Sequence, residues 1–451
     1  MNPPEPVPQS APQSAPTHWA QIIRSIGPGL IITASIVGSG ELIATPKVAG
    51  EAGFTLLWFI VLGCFIKVFV QVELGRYAVT TGQTTLEAMN SIPGPRFIVS
   101  WLLWLWLGMY VTLVFQVAGI VGGVADVFSA AGLILDKRWL ATGVAGSAAL
   151  LLVMGRYRLV ENVSTAMVAL FTFATIIAVG SLQWSPYAIT WANLVEGFQF
   201  KLPADTMTAF GAFGIIGVGA SELIYYPYWC LEKGYALNVG EKGSPGWLER
   251  ARGWMKVMRI DAWFSFTIYT LATLAFYLLG AAVLHAKGLQ VNDKGMIDTL
   301  AHMYAESFGT WSLYLFLLGA FFALYSTVFV ATASNARLLV DAAALFKVKT
   351  YPTPEHRVRA VKFCVVLLPA LSLLLYLIWE KPVTLVLVGA VSQGIMLPFL
   401  AGAALYFRHR RIDTELRPGV FWTVCLWIAA LSMASIGLYQ AIKEIAKALG
   451  A

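Results

Sequence analysis

The chain consists of long apolar segments separated by short polar ones. An α-helix that crosses roughly 30 Å of hydrocarbon needs about twenty mainly apolar residues. We predict eleven membrane-spanning helices from this pattern, over residues 22–46, 53–75, 97–128, 139–154, 160–182, 206–230, 258–284, 308–334, 360–380, 383–407 and 420–443.

The composition excludes an ordinary soluble domain. Hydrophobic residues make up 58% of the 451 residues and charged residues only 12%, which is typical of an integral membrane protein. Catalytic nucleophile motifs and phosphate-binding glycine loops are missing from the sequence. We therefore predict a membrane protein that is not an enzyme.

The charges indicate how the chain lies in the membrane. Residues 1–19 are rich in Pro, Ser and Gln, so we expect a disordered cytosolic tail. With the N-terminus inside, most of the 31 lysines and arginines fall on the cytoplasmic side, as the positive-inside rule requires. We predict a multi-pass protein of the inner cell membrane with an extracytoplasmic C-terminus. The net charge of +7 then reflects topology, and we expect no nucleic-acid partner.

One short segment occurs twice. "VGSGELIATP", residues 37–46, returns as "VGASELIYYP", residues 218–227, with Val, Gly, Glu, Leu, Ile and Pro at matching positions. Each copy opens a block of five predicted helices, and an odd number of crossings inverts the second block. This pattern predicts inverted repeats, as in many secondary transporters. The predicted units are a first repeat over residues 20–182, a second over 206–407 and an eleventh helix over 417–445.

Glycines interrupt the helix in both copies. Because Gly is unfavourable inside a helix, we predict unwound backbone there, with a glutamate in the first turn of each outgoing half-helix and Ser221 as an N-cap. Two buried carboxylates repel each other unless they share a cation or a proton. The alternative is that each acid only stabilises a helix N-terminus. The predicted substrate-binding residues are Gly38, Ser39, Gly40, Glu41, Gly219, Ala220, Ser221 and Glu222, with Glu41 and Glu222 as the metal ligands.

Other polar and aromatic side chains in apolar helices have two interpretations each. Tyr225 and Tyr226 follow the second glutamate and either cradle a cation or, the interpretation we favour, pack between helices. Lys67 lies within the second predicted helix. We predict that it snorkels to the interface or forms an ion pair rather than taking part in transport.

Three stretches carry a family resemblance. "IGPGLIITASIVGSGELIATPKVAGEAGFTLLW", "GRYRLVENV" and "QGIMLPFLAG" resemble the first helix, the connection into the fifth and the tenth helix of the Nramp divalent metal transporters. The resemblance extends over roughly residues 20 to 445. It implies the all-α LeuT fold of the amino acid-polyamine-organocation superfamily, with a 5+5 inverted repeat, unwound helices 1 and 6 and an eleventh helix. It also implies alternating access, and it makes Ser326, Thr327 and Gln393 second-tier site residues beside Tyr225 and Tyr226.

The sequence departs from this family at both motifs that bind metal. Where Nramp transporters have DPGN, residues 38–41 read GSGE, and where they have MPH, residues 220–223 read ASEL. Loss of the methionine thioether favours a hard cation such as Mn²⁺, Mg²⁺ or Ca²⁺. We do not expect the family's proton path in this sequence, because the five histidines lie in tails, loops or helix ends: His18, His285, His302, His356 and His409.

These observations predict a secondary active or facilitative transporter. It would move a divalent metal cation by alternating access through a two-glutamate site at the membrane midplane. The alternative is a carrier of a cationic or amine-bearing organic solute that uses the same glutamates to take up protons. A non-transporting sensor with the same fold is a third class. We expect a monomer without a cofactor, in which a divalent cation or protons are only the transported species.

Overall fold

The computed structural model describes residues 12–154, 157–202, 207–293, 295–301 and 312–448. This part of the chain is almost entirely helical, apart from one two-stranded hairpin. The first half contains α1 Trp19–Ser25, α2 Pro28–Ile36, a π-helix Val37–Ala44, α3 Thr45–Ala52, α4 Leu57–Thr81, α5 Thr85–Asn90, the strands β1 Arg96–Phe97 and β2 Val99–Ser100, α6 Trp101–Ala130, α7 Lys137–Met154, α8 Tyr157–Ser181, a 3-10 turn Leu182–Trp184 and α9 Trp191–Gly197.

The second half is helical in the same way. It contains α10 Met207–Phe213, α11 Ala220–Glu232, α12 Tyr235–Val239, α13 Trp247–Leu279 continued by a π-helix Gly280–His285, α14 Ser312–Leu345, α15 Pro354–Trp379, α16 Pro382–Arg410, a 3-10 turn Thr414–Leu416 and α17 Val420–Ala448.

Within the described residues, nine helices are long and apolar enough to cross a membrane. Each of the eleven predicted spans has a helical counterpart. The two that fall outside the nine are the short α7, which begins with Lys137 and Arg138, and the sixth span, which is divided into α10 and α11. The first span begins at Pro28 rather than near residue 22, because the short helix α1 ends before Gly27.

The sixth span is broken between Phe213 and Ala220. Gly217 in this segment has a φ of +66°, a left-handed conformation that strongly favours glycine. A Cβ on Gly214 would come within 2.1 Å of the Ala390 carbonyl oxygen of α16. The open backbone therefore lies before Gly219 rather than at it, and the predicted N-cap was wrong: Gly219 caps α11, and Ser221 lies inside the first turn.

The first span differs from the expected unwound segment. The backbone stays helical from Pro28 to Ala52, but residues Val37–Ala44 form a π-helix. Its glycines allow close contact with neighbours. A Cβ on Gly38 would come within 1.8 Å of Thr327 Oγ1, and one on Gly40 within 2.5 Å of the Ile215 carbonyl oxygen. The helix widens here instead of opening, and π-helical segments inside α-helices are frequent at functional sites.

The N-terminal segment is only partly described, since residues 1–11 of the expected disordered tail lie outside the described residues. Residues 12–18 contact the rest of the protein without forming a helix. The indole Nε1 of Trp254 donates to the Gln13 carbonyl at 2.8 Å, and a Cβ on Gly253 would touch Ala15. This stretch therefore packs against α13.

Candidate functional site

Both predicted glutamates are buried where the first and sixth spans meet. Glu41 lies in the π-helix and has no exposed surface, and Glu222 in α11 is 7% exposed. A carboxylate this deep needs hydrogen-bond donors or a cation around it. The arrangement is closed, because water reaches only a small part of Glu222.

Glu41 binds the open backbone of the sixth span. Its Oε1 accepts the Gly217 N–H at 3.0 Å, and its Oε2 accepts the Thr45 hydroxyl at 2.9 Å. The expected position in the first turn of a half-helix was wrong, since Glu41 lies in the middle of the π-helix. The π-helix presents this carboxylate to the other half of the chain.

Glu222 reaches back to the first span. Its Oε1 accepts the Ser35 hydroxyl at 2.8 Å, and its Oε2 accepts the Ser221 hydroxyl at 2.8 Å. This glutamate does lie in the first turn of its half-helix, where the helix dipole favours an anion. Among the described residues no hydrogen bond joins the two carboxyl groups. Each acid instead bonds to the opposite repeat, so the first and sixth spans are connected in both directions.

Lys67 of α4 belongs to the same site, which the sequence did not indicate. It is fully buried, and its Nζ donates to the carbonyl oxygens of Phe213 and Ile216 at 2.5 and 2.7 Å. The ammonium also lies 4.2 Å from the centre of the Phe213 ring, a cation–π distance. The expected snorkelling or ion pair was wrong, because backbone oxygens of the broken helix solvate this charge.

Gln393 of α16 supplies the cap of α11. Its Oε1 accepts the Ser221 N–H at 2.8 Å and lies 2.9 Å from the Ser221 hydroxyl oxygen. Its Nε2 donates to Oε1 of Gln116 in α6 at 2.8 Å. The second-tier residue Gln393 therefore contacts the neighbour of Glu222, and Gln116 is a polar partner that the sequence analysis did not select.

Ser326 and Thr327 of α14 bind the last turn of α2. The Ser326 hydroxyl donates to the Ala34 carbonyl at 3.0 Å, and Thr327 Oγ1 lies 3.0 Å from the Ser35 carbonyl oxygen. These carbonyls precede the π-helix, where the regular α-helical bonding pattern changes. Both second-tier residues thus stabilise the backbone that carries Ser35.

Tyr225 and Tyr226 are buried among helices. Tyr225 donates its hydroxyl to Asn335 Oδ1 at 2.7 Å, and Tyr226 donates to Asp261 Oδ2 at 3.0 Å. Buried tyrosines with satisfied hydroxyls are typical of helix packing. The geometry favours the packing interpretation over a cation cradle.

Asp261 of α13 is a further buried acid that the sequence analysis missed. Its Oδ1 accepts the Gly27 N–H and its Oδ2 the Gly29 N–H, each at 2.8 Å. These amides form the N-terminus of α2, where a carboxylate is favourable. Asp261 thereby fixes the start of the helix that leads to Ser35 and Glu41.

Three further predicted site residues are Gly219, Ala220 and Ser39. A Cβ on Gly219 would lie 2.5 Å from Glu222 Oε2, so glycine lets the carboxylate approach, and the Gly219 carbonyl already accepts the Leu223 N–H at 3.0 Å. Ala220 is fully buried. The side chain of Ser39 lies outside the part that the structure describes.

The oxygen atoms around the two glutamates form a hard donor set. Within the described ranges no group of three or more His, Cys, Asp and Glu residues could hold a metal ion. A cation bound here would therefore complete its coordination with hydroxyl, carbonyl or water oxygens, as hard divalent cations do.

The fold is that of solved membrane transporters. The Eremococcus coleocola manganese transporter superposes with a TM-score of 0.70 at 12% identity, covering 97% of this chain and 90% of that one. Mhp1, a nucleobase-cation-symport-1 family transporter, superposes with a TM-score of 0.58 at 15% identity, covering 98% and 96%. The protein is thus a membrane protein of the LeuT fold, with a 5+5 inverted repeat and an eleventh helix.

Sequence similarity narrows the class further. A divalent metal cation transporter named MntH, from Chromohalobacter salexigens, is 24% identical over 425 residues, which cover 93% of this chain and 92% of that protein. Residues 29–443 match the family described as natural resistance-associated macrophage protein-like, or Nramp. The chain belongs to the Nramp family.

Proposed function

We propose that this protein is a secondary transporter that moves a divalent metal cation across the inner cell membrane by alternating access. Membership of the Nramp family supports the class, and similar proteins are named for divalent metal cations and for manganese. The observation that carries the proposal is a pair of hydrogen bonds between the first and sixth spans. Buried Glu41 accepts the Gly217 N–H, and buried Glu222 accepts the Ser35 hydroxyl.

The donor chemistry supports a hard cation as the substrate. Carboxylate, hydroxyl and carbonyl oxygens are preferred by Mg²⁺, Ca²⁺ and Mn²⁺, whereas Cd²⁺ prefers sulfur. Two carboxylates balance the charge of one divalent ion. The hydrogen-bond donors to these carboxylates are the Ser35 and Thr45 hydroxyls and the Gly217 amide.

Exchange of these donors for a cation gives a physical route to alternating access. Each glutamate bonds to the opposite repeat, so a cation that takes over a carboxylate also releases a contact between the first and sixth spans. The first and sixth spans can then move relative to each other. One repeat rotates against the other around a fixed midplane site. We place the N-terminus in the cytoplasm on the distribution of Lys and Arg, and we propose a monomer.

The test begins with purified protein. A thermal-shift series with Mg²⁺, Mn²⁺, Ca²⁺ and Cd²⁺, and with methylamine and choline, reports selective binding because a ligand that binds only the folded state raises its stability. We expect stabilisation by a hard divalent cation, abolished in Glu41→Gln and Glu222→Gln but kept in Glu51→Gln, whose carboxylate pairs with Lys47 at 3.1 Å. Stabilisation by the amines alone would replace the proposal with the organic-cation carrier.

Flux measurements complete the test. Proteoliposomes that contain the wild-type protein should take up Mn²⁺ down an imposed gradient, and those with either glutamine variant should not. Binding without any flux would instead identify a sensor with a transporter fold.

A further inference from the structure

The ammonium group of Lys67 lies where a cation would be expected at a broken membrane helix. Unwound carbonyls of such helices are the usual ligands of transported cations. Here the carbonyls of Phe213 and Ile216 accept Lys67 Nζ at 2.5 and 2.7 Å. The side chain starts from α4, a separate helix, and is fully buried.

A single peptide unit connects this ammonium to a substrate-site acid. The carbonyl of Ile216 accepts from Lys67, and the N–H of the next residue, Gly217, donates to Glu41 at 3.0 Å. The peptide group is therefore polarised from both ends, so that each contact strengthens the other. Departure of Lys67 weakens the hydrogen bond that holds Glu41.

The net charge of the groups around Lys67 disfavours an additional divalent ion while Lys67 is protonated. The groups that act on it electrostatically are Glu41 of the π-helix, Glu222 of α11 and Cys64 of its own helix, while Tyr269 of α13 faces Cys64 and Glu41. When both glutamates are ionised and Lys67 is protonated, the three groups sum to one negative charge. A divalent cation added to this set would leave a net positive charge in a closed apolar interior, which is unfavourable.

We propose that Lys67 is a tethered cation that competes with the substrate for the negative charge of Glu41 and Glu222, and that the substrate displaces it from the Phe213 and Ile216 carbonyls with release of one proton. The N–H bond of the ammonium breaks, a water molecule accepts the proton when the site opens to solvent, and the lysine remains as a neutral amine. The cation then meets two carboxylates with no opposing charge. When it leaves, the amine takes up a proton and returns to the carbonyls. The inference rests on the proposed function and adds an exchange of one proton for each cation.

Two substitutions at this position have opposite expected effects. Lys67→Met removes the competing charge, so Mn²⁺ affinity at pH 6 should rise about tenfold or more, because mass action gives about a tenfold change per proton and pH unit. Lys67→Arg keeps a charge that cannot be removed, so the affinity should fall by at least about tenfold. Lys47→Met is the matched control, since the Lys47 ammonium pairs with Glu51 and donates to the Val291 carbonyl oxygen, each at 3.1 Å.

The decisive readout is the number of protons released on Mn²⁺ binding, measured by calorimetry in buffers of different ionisation enthalpy. The wild type and Lys47→Met should release one more proton than Lys67→Met or Lys67→Arg. Wild-type affinity and proton release in Lys67→Arg would overturn the inference, even if Lys67→Met fails to fold.

Failure of the proposed function has a different signature. If no divalent cation binds the wild type, both proposals fall together. If wild-type binding is lost in Glu41→Gln and Glu222→Gln while proton release is unchanged in both Lys67 variants, only the tethered-cation role is wrong.

Discussion

The carboxylate of Glu41 accepts the backbone N–H of Gly217 at 3.0 Å, so the acid of the first span stabilises the open backbone of the sixth. The sixth span returns the contact through Glu222 and Ser35. The π-helix of the first span and the broken sixth span are thus connected by hydrogen bonds to carboxylates, which are stronger than neutral ones when the acid is ionised. These bonds connect the first span directly to the sixth.

Replacing Ser35 tests the hydrogen bond from the first span to Glu222 of the sixth span. Ser35→Ala removes a hydroxyl donor from the buried Glu222 carboxylate, and a hydrogen bond to a charged group is worth about 1.5–3 kcal/mol. We expect a lower thermal unfolding midpoint. Ser265→Ala is the control, because this buried hydroxyl donates to the Ala262 carbonyl of its own helix at 2.9 Å. Equal midpoints for the two variants would show that Glu222 does not need Ser35.

Gly217 is a position in the break where the backbone conformation itself requires glycine. Its φ is +66°, and a Cβ would lie 3.0 Å from Cys64 Sγ. Gly217→Ala should cost about 1–2 kcal/mol from the left-handed conformation alone and should also displace the amide from Glu41, which abolishes Mn²⁺ flux. Gly243→Ala carries a similar strain, with φ +87° and open space around it, and should keep its flux. Loss of flux in both variants, or in neither, would contradict the role assigned to Gly217.

A second buried charge cluster lies further along α4. Glu73 Oε1 accepts Arg76 Nε at 3.1 Å and the Trp422 indole at 2.7 Å, and Arg408 Nη1 lies 4.0 Å away. Glu73→Gln leaves two arginines without their anion, so we expect a loss of about 3–5 kcal/mol. The cluster therefore fastens α4 to α16 and α17.

The control for this cluster is an exposed pair. Glu355→Gln removes a surface contact with Arg359 at 3.8 Å, and exposed pairs contribute about 1 kcal/mol or less. Denaturation of both variants in the same detergent measures the difference. An equal, small effect would mean that the two arginines are neutralised by something other than Glu73.

Asp261 should matter for the first span in particular. Asp261→Asn replaces one of the two oxygens that accept Gly27 and Gly29 N–H with an NH₂ group and removes the favourable charge at a helix N-terminus, up to about 2 kcal/mol in a buried setting. We expect faster hydrogen exchange at residues 27–32. Asp413→Asn, which breaks only an exposed pair with Lys242, should leave this exchange unchanged. Protection that stays intact in Asp261→Asn would rule out the capping role.

The sequence revealed the helices and the two acids because their signals are local. Apolar length marks the spans, and a glutamate in an apolar run stands out in any alignment of the chain with itself. The form of each break was not predictable in the same way. Glycines at 38 and 40 suit unwound backbone and close packing equally, and the choice depends on Thr327 and Ile215, which come from distant parts of the chain.

The role of Lys67 was hidden for a related reason. Its partners are the backbone carbonyls of Phe213 and Ile216. Because every residue has a backbone carbonyl, the sequence does not show which ones accept a hydrogen bond from Lys67. Only the folded chain shows that a polar residue in the second span meets open backbone in the sixth.

The central claim is that Glu41 and Glu222 bind one divalent cation together. A crystal structure with Mn²⁺, with its anomalous difference map, tests this most directly. We predict one peak between the two carboxylates, at oxygen distances of about 2.0–2.6 Å, with Lys67 withdrawn from the Ile216 carbonyl. A map in which Mn²⁺ binds elsewhere while Glu41 keeps Gly217 and Glu222 keeps Ser35 would contradict the account.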